Sequence, residues 1–151
     1  MALLAGKLYD PTTAVNKVTT AALAMTALDT TNLRLNFTVP ASGNVLVRMH
    51  GVLHGATTFP SILLGVLEGS TVKGRVAPTQ SLGNTAVATA MVSVDAEFLV
   101  TGLTPGASLT WDAAYGVETL VASTGLKYGG PNNTTANDAF GGFAFEIWSV
   151  D

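Results

Sequence analysis

The chain is 151 residues long, the size of one ordinary domain, and its lack of cysteine removes a disulfide framework, a thiolate zinc site and a cysteine nucleophile together. Seven basic and ten acidic residues give a net charge of −3, and charged residues make up only 11% of the chain, against about 25% in an average soluble domain. No apolar run reaches the 18 residues of a membrane helix, and scattered cations on an acidic chain argue against nucleic acid as a partner, so the sparse charge points to a Thr/Ser/Asn/Gly surface or one covered by other proteins.

Residues 1–17 lack strand alternation and break at Asp10-Pro11, and they are read as an extended N-terminal arm preceding a domain over 18–151. The opening residues are apolar, but Lys7 and Asp10 follow and no cationic stretch comes first, so they are not read as a signal peptide. The stretch from Val18 to Leu28, rich in Thr and Ala, is taken as a strand, though its Ala content also permits a short helix. Strict alternation over Leu33–Val39 predicts a half-buried strand, ended by the turn Pro40-Ala41-Ser42-Gly43-Asn44. Val45 to Leu53 follows, with Val45, Val47, Met49 and Leu53 on one face and Arg48 and His50 on the other.

Ser61 to Leu67 is almost wholly apolar, which in a β protein means burial on both faces. Thr71–Ala77 reads as a short polar strand or edge. In Ala90–Thr101, Val92, Val94, Ala96, Phe98 and Val100 share one face, and Ser93, Asp95, Glu97 and Thr101 the other. A turn at Leu103-Thr104-Pro105-Gly106 leads to the alternating Leu109, Trp111, Ala113, Tyr115 and Val117. A Gly/Asn-rich loop over 129–138 precedes the aromatic last strand, where Phe143, Phe145 and Ile147 oppose Trp148 and Val150.

Turn signals every eight to twelve residues mark a sandwich or barrel. The expected fold is all-β: a single jelly-roll-like sandwich of about eight or nine antiparallel strands. The 61–67 and 143–150 segments carry more apolar surface than one core can use, which predicts a homo-oligomer. Leu3, Leu4, Leu8 and Tyr9 of the arm and Trp148 of the last strand are the expected partner contacts.

No catalytic or cofactor-binding constellation emerges. His50 and His54 face one side with Arg48, but a metal would need a third ligand from elsewhere, and two polar residues on a solvated or interface face is the preferred reading. Asp95 and Glu97, with Asp112 nearby, suggest a carboxylate pair or a calcium site; outward charges that protect a sheet edge are the commoner cause. Asn132–Asp138 is read as a solvent-facing turn rather than a calcium loop. Sequons at Asn36, Asn132 and Asn133 are read as chance in an Asn/Thr-rich chain.

The run Ala27-Leu28-Asp29-Thr30-Thr31-Asn32-Leu33-Arg34-Leu35-Asn36-Phe37-Thr38-Val39-Pro40-Ala41-Ser42-Gly43 resembles the opening strands of structural proteins of tailed bacteriophages. So does Phe98-Leu99-Val100-Thr101-Gly102-Leu103-Thr104-Pro105-Gly106 running into Leu109-Thr110-Trp111. Within that group the chain most resembles the small capsid decoration, or cement, proteins. The resemblance covers residues 27–115 and rests on pattern, so it carries over no functional residue. It implies a jelly-roll-like trimer, made in the host cytoplasm, that sits on the capsid exterior and bridges major capsid protein subunits without catalysis or cofactor. A receptor- or glycan-binding head of a tail fibre shares the same strand style; an exposed Trp111 or Trp148 platform would favour it.

Overall fold

The computed structural model describes residues 1–19, 21–54, 61–82, 91–120, 125–130 and 141–151, and every regular element among them is a β-strand. In chain order these are β1 (Leu3–Tyr9), β2 (Val15–Val18), β3 (Thr26–Ala27), β4 (Arg34–Thr38), β5 (Val45–His54) and β6 (Ile62–Glu68). Then come β7 (Thr71–Val76), β8 (Thr79–Leu82), β9 (Met91–Val100), β10 (Ser108–Val117), β11 (Gly125–Tyr128) and β12 (Phe143–Ser149).

Two antiparallel sheets pack face to face, as the all-β sandwich reading requires. The seven-stranded sheet is built on β5, which takes β12 and then β11 along one edge and β9 along the other. Outside these lie β1 on β12, β2 on β11 and β8 on β9. The five-stranded sheet centres on β10, with β4 and β3 on one edge, β6 on the other and β7 beyond it.

Alternation fills the space between the sheets. Val45, Val47, Met49 and Leu53 of β5, Val92, Val94 and Ala96 of β9, and Phe143, Phe145 and Ile147 of β12 are buried there. Opposite them stand Leu35 and Phe37 of β4 and Trp111, Ala113, Tyr115 and Val117 of β10. Phe37 meets Trp111 edge to face at 4.9 Å between centroids, the geometry the ring quadrupole favours. Two glycines make room for rings: a Cβ at Gly51 would lie 2.5 Å from the Phe143 ring, and one at Gly74 would lie 2.6 Å from that of Phe98. The second contact joins β7 of one sheet to β9 of the other.

Two expectations change. Residues 1–17 are not a free arm: β1 pairs with β12 from Leu3↔Trp148 to Tyr9↔Phe143, and β2 pairs with β11, all within one chain. Beyond a register irregularity between Leu3 and Ala5, Lys7 shares a face with Ala5 and Tyr9 while Leu8 stands on the other, so no period-two pattern shows there. The 18–28 stretch is not one strand either. β2 ends at Val18, Leu23 takes a left-handed φ of 63°, and only Thr26–Ala27 pair with β10.

The apolar β6 has Ile62, Leu64 and Val66 in the core, and on its outer side Leu67 is closed off while Leu63 is half-buried. Residues 23–25 cross the outer face of the neighbouring β10. Leu23 N–H donates to Val117 O, Arg75 Nη1 donates to Leu23 O, and a Cβ at Gly116 would meet Ala24 O at 2.7 Å. Part of the apolar surplus that the sequence assigns to a partner is thus covered by the chain itself.

Candidate functional site

The outer face of the seven-stranded sheet collects the polar residues of β5, β9 and β12, because their other faces are committed to the core. Cross-strand register sets them in rows, where opposite side chains stand about 4.5–5.5 Å apart at Cβ. One row reads Leu3, Trp148, Leu46, Leu99 from β1 to β9. The next reads Gly6, Glu146, Arg48, Glu97, and the third Leu8, Ala144, His50, Asp95, Thr79. An apolar row therefore borders two charged ones.

The charged rows are tied together. Arg48 Nε donates to Glu97 Oε2 at 2.5 Å, and its guanidinium carbon lies 5.6 Å from the centroid of the Trp148 ring, within cation–π range. Trp148 Nε1–H donates to Glu146 Oε2 at 2.8 Å. His50 Nδ1 lies 2.7 Å from Asp95 Oδ1, and since a carboxylate only accepts, Nδ1 carries the proton in that bond. Over these rows runs a groove of about 640 Å³, rimmed by Val76, Ala77 and Thr79 at the β7–β8 connection. That volume falls within the range of about 300–1,000 Å³ typical of ligand clefts.

A histidine oriented by an aspartate supplies two of the three members of a hydrolytic triad. Here both side chains are more than half exposed, at 53% and 65%, so water screens the pair, and the groove's one described hydroxyl is that of Thr79. Asp112, read as a neighbour of Asp95 and Glu97, stands on the other sheet. It is buried there and held by Arg34 through Nε–Oδ1 and Nη2–Oδ2 bonds of 2.7 and 2.8 Å. Among the described residues, no group of three or more His, Cys, Asp or Glu is placed to hold a metal ion. The His54 side chain and the 132–138 turn lie outside the described residues.

Of the expected contact residues, Leu3 and Leu8 are exposed on this face at 51% and 71%, while Leu4 and Tyr9 pack against the chain's own core. Trp148 is half-buried beneath Arg48. Trp111 is no platform: it is fully buried, with Nε1–H donating to Glu68 Oε2. Leu99, 58% exposed at the end of the apolar row, escaped the sequence reading. Its signal is phase: Leu46 and Leu99 are apolar residues standing where their strands alternate to the polar face.

Compared with known proteins, the chain matches no family model, no curated protein and no solved structure.

Proposed function

We propose that the chain is a structural virion protein that decorates a phage capsid and stabilises it by bridging capsid subunits. The observation that carries this reading is the apolar border of the outer sheet face, where Leu3, Leu8 and Leu99 stand in solvent beside a charge ladder. Exposed large side chains grouped on one face mark a surface meant to be covered. The resemblance of residues 27–115 to small decoration proteins supports the same reading. Its partners are the major capsid protein and further copies of itself, most simply as a trimer. Val18, Leu23, Val72 and Leu120, exposed away from the ladder, supply apolar surface for self-contact.

The groove over the charged rows favours one second reading, a receptor- or glycan-binding head of a tail fibre. Imaging particles that incorporate the chain by electron cryomicroscopy separates the two. Density for the sandwich over joints between shell subunits is the expected result. Density at the tail tip with a bare shell refutes decoration in favour of the second reading.

A further inference from the structure

The geometry points to a specific occupant for the outer face of the seven-stranded sheet: a different protein whose surface carries a cationic centre inside an apolar rim. This rests on the surface-contact reading above and names its chemistry.

The first argument is charge. Around the groove stand three carboxylates, Asp95, Glu97 and Glu146, against one guanidinium, Arg48, a net −2 with His50 neutral. Arg48 is already engaged by Glu97 and the Trp148 ring, and among the described residues Glu146 meets only the indole N–H. A positive group docking beside Glu146 completes the ladder. The second argument is the border. Leu3 and Leu8 lie on the β1 side and Leu99 at the β9 end, all more than half exposed, so apolar contacts flank the charged centre as in a protein interface rather than a small-molecule cleft.

A second copy of this chain is disfavoured, since it would set one net −2 face against another. In a face-to-face two-fold pairing, any axis through the middle of the ladder brings Arg48 onto its own counterpart. Turning about the β5 direction lays Glu97 over Glu146, and turning about the row direction lays each glutamate on itself. Such centred pairings set like charge on like, which costs rather than stabilises. Five strands from β1 to β8 span about 19 Å and the three rows about 14 Å along the strands, so the patch is on the order of 270 Å². That is about a third of what a standard interface buries on each partner. One contact is weak; a lattice of repeated contacts binds by avidity.

The test uses the whole chain, isotopically labelled, titrated by NMR with a synthetic peptide carrying a lysine–arginine centre flanked by leucines. The control peptide has glutamates at the centre. The basic peptide is expected to shift the amides of Arg48, Glu97 and Leu99 and the Trp148 indole, and the acidic one to leave them unmoved. Raising salt about tenfold, or the combined variant Asp95→Asn, Glu97→Gln, Glu146→Gln, should weaken binding at least about tenfold. Equal response to both peptides, an unaffected variant at either salt, or no shifts on this face overturns the proposal. So does concentration-dependent self-association that Leu99→Lys abolishes, since the occupant would then be a second copy. The particle images distinguish this failure from that of decoration: a chain seated on the shell through another surface leaves decoration standing and this face unassigned.

Discussion

At Tyr128 a phenol is fully buried, and its hydroxyl meets no hydrogen-bond partner among the described residues. Burial first, then the nearby Asp29 and Tyr9, push its ionisation well above the ordinary tyrosine range; burial alone does the same to Tyr115. Removing an unpaired buried hydroxyl relieves a desolvation penalty, so Tyr128→Phe is expected to raise stability by about 1 kcal/mol in urea unfolding. An acid whose folded pKa exceeds its unfolded one favours the folded state only while it stays protonated in both. Stability should therefore fall as pH rises above about 10, and fall less in Tyr128→Phe. Asp29 works in the opposite direction. Burial pushes its carboxyl up, but the backbone and side-chain N–H groups of Asn32, the Thr31 N–H and the charge of Lys17 outweigh it and hold the group below its ordinary value. Its contribution is present above the unfolded value of about 3.9 and is lost as pH falls through the folded one. Asp29→Ala should cost about 1–3 kcal/mol at neutral pH and progressively less as the carboxyl is protonated in acid, by the same unfolding measurement.

The strands themselves were readable to different degrees, for physical reasons. Where one face is buried and the other wet, period-two alternation is forced, and β4, β5, β9, β10 and β12 appear in the sequence with their faces correct. β1 hides because Lys7 and Leu8 stand on the faces that alternation would not give them, and the four-residue β8 and β11 are too short to show a period. The candidate site was half legible. Arg48 with His50, and Asp95 with Glu97, share faces as their spacing requires. That the two pairs stand opposite each other depends on β5 meeting β9, 45 to 49 residues away in sequence, and no local pattern encodes that choice. Tight fits between elements were not legible at all. Gly51→Ala drives a methyl into the Phe143 ring at the β5–β12 seam, where strand backbone and core ring leave little room to yield. It should lower stability by about 1–3 kcal/mol, read as an earlier urea midpoint at unchanged slope.

At the scale of the molecule, one sheet has an outer face partly closed by residues 23–25 and the Arg34–Asp112 pair, and the other keeps an open face with an apolar border. In the proposed reading that asymmetry leaves the open face for the shell, with Leu23 and Val72 on the other side for contact between copies. A ligand of the assembled shell that ignores its free subunits stabilises the shell by mass action, by about 2.7 kcal/mol per site at a hundred times its dissociation constant. The most direct measurement compares the temperature at which capsids rupture with and without the bound chain. The account predicts that decorated shells survive to higher temperature and that the margin grows with free protein until the sites fill. Rupture at the same temperature at every concentration would contradict it.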